Sequence, residues 1–296
     1  MSKNVNAWIK MLYLGLTFGL SLTILKIILH TVNDPIWILF YQSTFSSILL
    51  LAFALFSKSN LSALRYNFGA LALLAAFGVI VPNIALYVSA KHISVGSMSL
   101  LLALIPFFVY IIALFTKIEK LNALRVFGLA LGFCAMFLLI LPGRNLEIGI
   151  AKTWLMVGVL TPIFIASANV FLSSMRFRPI DPISIALGMN SLAAIVLAPI
   201  VFITSTSPFI FKSAGLSLSV LSLSVITSGG FIIFVNLIKK HGPVFASQVN
   251  YLVTISGVAW GFIIFSESHS SQFWFALGLI LCGLFCVRPN GKKSMM

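Results

Sequence analysis

The stretch Asp34-Pro35-Ile36-Trp37-Ile38 returns 147 residues later as Asp181-Pro182-Ile183-Ser184-Ile185. Two further matches keep nearly the same spacing: Lys91-His92 recurs as Lys240-His241 after 149 residues, and Glu119 recurs as Glu267 after 148. A repeat at constant spacing is the sequence signature of a duplicated structural unit. We therefore expect two similar units, residues 1–145 and residues 146–296.

Both units consist of apolar segments long enough to cross a membrane. Of the 296 residues, 60% are hydrophobic and only 8% are charged, and the mean hydropathy is +1.12. A helix needs roughly 20 apolar residues to cross the hydrocarbon core of a bilayer. We expect ten such helices, at residues 11–30, 35–56, 68–90, 96–115, 123–141, 154–174, 182–204, 214–238, 243–265 and 272–288. The predicted fold is an all-α integral membrane protein.

The odd number of spans in each unit has a topological consequence. After five spans the chain is on the other side of the membrane, so the second unit enters from the opposite side. The two units are then inverted repeats, related by a pseudo-two-fold axis in the membrane plane. Inverted repeats are typical of carriers in which a site at the repeat interface opens alternately to each side, so the sequence favours a transporter over an enzyme or a structural protein.

The distribution of charge predicts the orientation. The net charge is +14, but the 19 basic residues are spread over connectors and both termini without a basic stripe, so no nucleic-acid partner is expected. With the amino terminus in the cytoplasm, 14 of the 19 lie on the cytoplasmic side, as the positive-inside rule requires. We expect both termini in the cytoplasm and the protein in the cell inner (plasma) membrane. The first apolar segment is too long for a cleaved signal peptide and is predicted to be a span.

Several residues occur in an order that is known from one family. Lys26 is followed by Asp34-Pro35, by the turn Lys91-His92-Ile93-Ser94-Val95-Gly96, and by Glu119 thirteen residues after Pro106. In the second unit, the stretch 239–247 has the character of the same turn and Glu267 that of the same glutamate. This order resembles the drug/metabolite transporter superfamily in its ten-helix form, with two EamA-type repeats.

The resemblance implies a transporter with a central cavity surrounded by spans 1, 3, 4, 6, 8 and 9, with spans 5 and 10 at the periphery. The chain departs from the family pattern at two places. Tyr41-Gln42 stands where members often carry an arginine in the second span, and Thr254 stands where they often carry a proline in the ninth.

Acidic residues are absent from the interior of the predicted spans. The five in the chain, all at loops or helix ends, are Asp34, Glu119, Glu147, Asp181 and Glu267. Asp34 and Asp181 precede prolines and are predicted to cap helix N-termini, whereas Glu119 and Glu267 are expected to pair with bases or backbone amides. A proton-coupled exporter of cationic drugs needs a carboxylate near the middle of the membrane, so the sequence favours facilitated diffusion or exchange.

Apart from Arg125 and Arg288 at span ends, Lys26 is the one charged residue inside a predicted span. Two roles are open to it. Its side chain could reach the nearby membrane interface, or it could attract the carboxylate or phosphate of a substrate inside the cavity.

Uncharged polar and aromatic residues within the spans are the other candidates for substrate binding. Asn83 and Tyr87 are four residues apart, a spacing that places both on one face of a helix. Such faces either form interhelical hydrogen bonds, worth about 0.6 kcal/mol each, or line a cavity suited to an amphipathic solute such as an amino acid. The candidate residues are Lys26, Asn83, Tyr87, Asn169, Asn250, Tyr251 and Trp260.

No sequence signature of catalysis accompanies these residues. There is no HExxH motif, no Gly-x-Ser-x-Gly motif and no phosphate-binding loop, so neither an enzyme nor a cofactor or metal site is expected. The three cysteines lie inside apolar helices and are expected to be buried small hydrophobic residues. Three Gly-x-x-x-Gly spacings, at 15–19, 128–132 and 257–261, predict close helix contacts.

The predicted function is alternating-access transport of a small metabolite, an amino acid or a related zwitterionic or amphipathic solute. The expected partners are that solute and the lipid bilayer, and a homo-oligomer is an option that the sequence leaves open. Two alternatives remain: an exporter of lipophilic drugs, and a membrane assembly protein that transports nothing.

Overall fold

The computed structural model describes residues 2–140, 148–174, 179–204 and 213–286. Glu147 lies outside this part of the chain. The described residues form helices joined by short turns, and no strand occurs among them. The helices are α1 Ser2–Thr31, α2 Pro35–Phe56, α3 Ser62–Tyr66, α4 Phe68–Ala75, a π-helical turn Ala76–Ile80, α5 Val81–Ala90, α6 Val95–Leu102, α7 Ile105–Phe115, α8 Ala123–Ile140, α9 Ile148–Gly158, α10 Leu160–Ser174, α11 Pro182–Thr204, α12 Ala214–His241, α13 Pro243–Ser247, α14 Val249–Phe265 and α15 Ser271–Cys286.

Eight helical segments are long and apolar enough to cross a membrane. They are Asn6–Thr31, Pro35–Phe56, Phe68–Ala90, Val95–Phe115, Lys152–Ser174, Pro182–Thr204, Ala214–His241 and Pro243–Phe265. These coincide with eight of the ten predicted spans. The remaining two predictions correspond to α8 and α15, apolar helices of 18 and 16 residues that pack against each other. The chain is a multi-pass, all-helical membrane protein.

The two Asp-Pro motifs start α2 and α11, as predicted. Asp34 accepts the backbone N–H groups of Ile36 and Trp37 at 3.0 and 3.1 Å. Asp181 accepts those of Ile183 and Ser184, both at 2.9 Å. Each carboxylate therefore satisfies two of the N–H groups that have no partner within the first turn of a helix.

A lysine holds the backbone just before each cap. Lys91 Nζ donates to the carbonyl oxygen of Asn33 at 3.4 Å, and Lys239 Nζ donates to that of Ile180 at 2.7 Å. The structural counterpart of Lys91 is therefore Lys239, one residue before the lysine that the sequence match selects. The duplication thus preserves a contact between the end of the third helix and the start of the second.

The cap at Asp181 predicts a pH dependence of stability. Burial raises the pKa of Asp181, but hydrogen bonds from Ser184 and Ile183 outweigh burial and hold the pKa below its usual value. A lowered folded-state pKa contributes stability above the unfolded value of about 3.9, and this contribution is lost as the pH falls through the folded value. The excess melting temperature of the wild type over Asp181→Asn should therefore be constant between about pH 7 and 5 and shrink below about pH 4. Thermal melts of the detergent-solubilised proteins measure this difference, and a difference that persists unchanged at the lowest pH would contradict the assignment.

Glycines allow the closest helix contacts, as the Gly-x-x-x-Gly spacings predict. A Cβ added to Gly15 would overlap Leu252, and one added to Gly19 would overlap Ser256, so α1 lies directly against α14. A Cβ added to Gly257 of α14 would overlap Ser99 of α6, so α6 also lies directly against α14. The three helices form one tightly packed layer that contains residues from both units.

A close contact at glycines also joins the two shorter apolar helices, α8 and α15. A Cβ added to Gly283 of α15 would lie 2.6 Å from the carbonyl oxygen of Gly128 in α8. Cys134 and Cys282 on these helices are exposed in the protein, so the expectation that they are buried is wrong. In a membrane-spanning helix an outward-facing apolar side chain contacts lipid, and no protein burial is required.

Candidate functional site

A cavity of about 160 Å³ lies between helices of the two units. Its wall is mostly aliphatic and aromatic, with contributions from α1, α2, the segment 68–90, α6, α7, α10, α11, α12 and α14. The polar residues of the wall are Ser21, Gln42, Asn83, Tyr87, Asn169, Thr227 and Asn250. No side chain of the described wall carries a formal charge at neutral pH.

The wall is built from equivalent positions of the two repeats. Many wall residues pair with another wall residue 147 or 148 positions later. The pairs include Phe18 and Ile165, Ser21 and Ala168, Leu22 and Asn169, Leu25 and Leu172, Gln42 and Met189, Asn83 and Phe231, Leu86 and Phe234, Tyr87 and Val235, Leu102 and Asn250, and Ile105 and Val253. The cavity therefore lies where the two repeats meet. Its chemistry is asymmetric, because in most of these pairs only one member is polar.

The third span is interrupted where it reaches the cavity. Ala76–Ile80 form a π-helical turn, and Pro82 follows directly after α5 begins. A proline lacks the N–H group that an α-helix needs, and single π turns are common at functional sites. The amide of Asn83 donates to the carbonyl of Val79 at 2.7 Å, and Gly78 and Asn83 both line the cavity.

Two further spans are interrupted next to the cavity. The fourth span breaks between Leu102, the last residue of α6, and Ile105, the first of α7. The ninth breaks at Gln248, immediately before α14. Residues next to both breaks line the cavity. Interrupted helices near the middle of the membrane are a recurrent feature of substrate sites in secondary transporters.

Four of the seven predicted binding residues meet at this cavity: Asn83, Tyr87, Asn169 and Asn250. The buried hydroxyl of Tyr87 donates to Oε1 of Gln42. Gln42 is a wall residue that the sequence analysis did not select, and Ser21 is another. Ser21 and Gln42 are both polar residues within predicted spans, and Gln42 belongs to the pair Tyr41-Gln42 at which the chain departs from the family pattern.

The other three predicted residues lie outside the cavity wall. Lys26 Nζ donates to the carbonyl oxygens of Ala90 and Ile93 at 2.6 and 2.8 Å. The lysine thus provides hydrogen bonds at the C-terminal end of α5, where backbone carbonyls have no helical partners. Tyr251 and Trp260 are half-buried on α14.

Glu267 belongs to the second unit, and its carboxylate binds backbone groups of the first. Its Oε1 accepts the N–H of Val95 at 2.7 Å and its Oε2 accepts that of Gly96 at 3.0 Å. The carboxylate therefore lies at the N-terminus of α6, where the helix dipole stabilises negative charge. The predicted pairing of Glu267 with backbone amides is confirmed, and Lys26 adds an electrostatic attraction to it.

His269 lies next to this carboxylate. Its Nε2 is 3.5 Å from Oε2 of Glu267, and its ring stacks on Phe273 with centroids 3.8 Å apart. Burial lowers the pKa of His269, and the charge of Glu267 offsets only part of that shift. The lowered pKa favours the neutral form of this histidine.

Glu119, the counterpart of Glu267, pairs with a base, as predicted. Its Oε2 accepts from Nη1 of Arg125 at 2.9 Å, and Arg125 is almost fully buried. The Arg125 guanidinium also lies 5.1 Å from the centre of the Tyr110 ring. All three residues belong to the first unit, so Glu119 does not join the two units in the way that Glu267 does.

No cluster of three or more histidine, cysteine or acidic side chains that could hold a metal ion occurs among the described residues. The polar groups that meet at the cavity are amides, hydroxyls and a phenol. They can bind a solute by hydrogen bonds, and they provide no paired acid and base or activated nucleophile.

Comparison with known proteins agrees with this architecture. Twenty-eight solved chains match the chain. One of them, the crystal structure of a protein, superposes with a TM-score of 0.69 at 15% sequence identity, and the match covers 95% of this chain and 96% of the other. No curated protein matches. The profile of the EamA-like transporter family matches residues 6–141 and again residues 153–288. The chain therefore belongs to the EamA-like transporter family.

Proposed function

We propose that the chain carries a small amphipathic metabolite, an amino acid or a related zwitterion, across the cell inner membrane. The proposal rests on one observation above all: equivalent positions of the two repeats line a single cavity between them. Exchange of conformations between two inverted units would open such a cavity first to one side and then to the other. The units are residues 1–145 and 146–296, α8 and α15 complete a set of ten spans, and both termini are cytoplasmic.

The size of the cavity favours a small solute. An engineered protein cavity of about 150 Å³ accommodates benzene, so a cavity of about 160 Å³ suits a solute of comparable or slightly larger size. A typical drug needs more room than this conformation offers. The apolar part of the wall favours the alternative, a lipophilic drug exporter, and drug resistance on expression of the protein would distinguish it.

The chemistry of the cavity wall favours facilitated diffusion or exchange. A proton-coupled carrier needs a group at the site that gains and loses a proton near physiological pH. The described wall offers asparagines, a glutamine, hydroxyls and the Tyr87 phenol, and none of these groups titrates near pH 7. The binding site proposed from the structure consists of Asn83, Tyr87, Asn169 and Asn250, together with Gln42. A role in substrate binding for Lys26, Tyr251 and Trp260 stays a prediction from the sequence.

Counterflow in proteoliposomes tests the proposal. Vesicles preloaded with an unlabelled amino acid should take up the labelled one transiently above equilibrium, because an exchanger couples the two movements. A pH gradient alone should drive no accumulation. Uphill uptake driven by a pH gradient would contradict the facilitator mechanism, and a folded protein that moves no small solute would favour the assembly protein.

Filling the cavity should stop transport without unfolding the protein. Ala168 lines the cavity and is 5% exposed, so Ala168→Phe places a ring in the space that the solute needs. We expect counterflow to fall at least about tenfold, with a loss of stability near the 1–3 kcal/mol typical of overpacking.

The matched control for this variant is Ala52→Phe. Ala52 is exposed on α2, where an added ring meets lipid, and counterflow should stay at the wild-type rate. Equal rates for Ala168→Phe and the wild type would exclude this cavity as the transport site.

A further inference from the structure

Asn169 differs from the other buried asparagines of the described chain. Asn67 and Asn190 each donate Nδ2 to the carbonyl four residues earlier, at 2.8 and 2.9 Å. Asn250 donates to the carbonyl three residues earlier, at 2.8 Å. Asn169 is 5% exposed, and its Nδ2 is buried with no hydrogen-bond partner among the described residues.

An unpaired amide in the membrane interior needs an explanation. Burial of a polar group without a partner costs free energy, and a helical asparagine can always turn back to its own helix, as the others do. Asn169 lines the cavity instead. A turn of this side chain would bring its unpaired amide to a solute in that space.

The remaining amides of the cavity wall divide into donors and acceptors. Tyr87 donates to Oε1 of Gln42, which leaves the Nε2 hydrogens of Gln42 as donors toward the cavity. Asn83 and Asn250 use Nδ2 on the carbonyls of Val79 and Ser247, which leaves their Oδ1 atoms as acceptors. Donors thus come from α2 and α10, and acceptors come from α5 and α14.

The pattern matches a ligand that carries both a hydrogen-bond acceptor and a donor but no net charge. A wall without formal charge provides no counter-ion for a lone carboxylate or a lone ammonium, and an unpaired buried ion is costly. A zwitterion is neutral as a whole, and each end can use hydrogen bonds to amides. The aliphatic and aromatic remainder of the wall suits an apolar side chain.

We propose that the cavity binds an amino acid with an apolar side chain, and that the four amides share its two charged groups. Asn169 and Gln42 donate to the carboxylate. Asn83 and Asn250 accept from the ammonium. This assignment rests on the proposed transport function and adds to it the groups that select the substrate.

The first part of the experiment compares ligands. Purified protein is screened against the protein amino acids by thermal shift, because a ligand that binds only the folded state raises the melting temperature. The best binder is then compared with the two analogues that each lack one charged group; for leucine these are isopentylamine and isocaproate. We expect the zwitterion to bind at least about tenfold more tightly than either analogue, since each charged end makes its own hydrogen bonds.

The second part changes Asn169. Asn169→Asp replaces the amide donor with a carboxylate of nearly the same shape, so the amino acid and isocaproate should lose at least about tenfold in affinity, whereas isopentylamine should bind at least as well as before. Asn169→Leu serves as the uncharged variant in case the buried aspartate prevents folding. It should weaken the amino acid and isocaproate and leave the amine unchanged.

Asn190→Leu is the matched control. Asn190 is buried on α11 and paired with Ala186, and it lies outside the cavity wall, so its loss should change stability but not ligand affinity. Equal weakening of acid and amine by both Asn169 variants would overturn the assignment of Asn169 to the carboxylate.

The outcomes also separate this inference from the proposed transport function. A protein that binds and moves a small solute other than an amino acid, with no effect of Asn169, would overturn the inference and leave transport intact. A folded protein that moves no solute in counterflow would overturn both.

Discussion

Replacing Glu267 with alanine is expected to lower the melting temperature of the purified protein by about 10 °C. The carboxylate accepts two backbone N–H groups of α6 and is only 11% exposed. Hydrogen bonds to a charged group are worth about 1.5–3 kcal/mol each, so the pair contributes about 3 kcal/mol or more. For a chain of this size, each kcal/mol corresponds to about 2–4 °C.

Two further variants separate the possible causes. Asp34→Ala also removes two N–H bonds, but from the helix that directly follows it, and the loss of such a cap costs about 1 kcal/mol. Glu267→Gln keeps an acceptor and removes the charge, so it should fall between the wild type and Glu267→Ala. If Glu267→Ala lowers the melting temperature no more than Asp34→Ala does, the two hydrogen bonds of Glu267 to α6 contribute less stability than about 3 kcal/mol, and this prediction is wrong.

Glu267→Ala also tests whether the contact between the units controls opening of the cavity. Because Glu267 joins the second unit to the first, we expect its loss to favour opening of the face at which it lies. A loss of about 3 kcal/mol corresponds to a factor of about 100 in the ratio of closed to open forms.

Cysteine labelling measures this opening. In a background without Cys134, Cys282 and Cys286, a cysteine introduced by Ser21→Cys, a position in the cavity wall, reports access from either side. With Glu267→Ala, an impermeant maleimide on the face that carries Glu267 should react at least about tenfold faster. Unchanged labelling would mean that the contact is static during transport.

Gly15→Leu should destabilise the protein by about as much as Glu267→Ala, but by forcing two helices apart. Even a Cβ at this position would overlap Leu252 of α14, and the hydroxyl of Ser256 donates to the Gly15 carbonyl at 2.7 Å. The larger side chain must push α1 away from α14 and break that bond. Overpacking costs about 1–3 kcal/mol and sometimes more, so we expect the melting temperature to fall by about 10 °C.

The chain offers a matched control at Gly229. A Cβ added there has no atom within 4 Å, and the residue lies within α12 like Gly15 within α1. Gly229→Leu should leave stability unchanged or raise it slightly, because glycine costs about 1 kcal/mol in a helix interior. Size-exclusion profiles of heated samples measure both variants. Equal effects of the two substitutions would contradict the close packing of α1 on α14.

The transmembrane helices and their starting points could be predicted because each depends on a short stretch of sequence. Length and apolar character placed eight spans where the structure has them. A proline after an aspartate marked the starts of α2 and α11, since a cap involves only the next three residues. The constant spacing of the repeat indicated the duplication, and equivalent positions of the two repeats line one cavity.

The roles of individual polar residues could be predicted less well. The sequence left two roles open for Lys26, at the membrane interface or toward a substrate in the cavity, whereas in the structure Lys26 donates to the carbonyls of Ala90 and Ile93, more than 60 residues away. Gln42 stood out in the sequence only as part of a departure from the family pattern, and its place in the cavity wall beside the hydroxyl of Tyr87 is seen only in the structure.

The sequence by itself thus determined that this chain is a duplicated helical membrane protein, because hydrophobicity, helix caps and repeat spacing are local or periodic properties. Only the tertiary structure decided which polar side chains meet. Asn83 and Asn169 look alike in sequence, yet the first is paired with its own helix and the second is unpaired at the cavity. That difference depends on which helices pack beside each residue, and packing brings together positions that are remote in the chain.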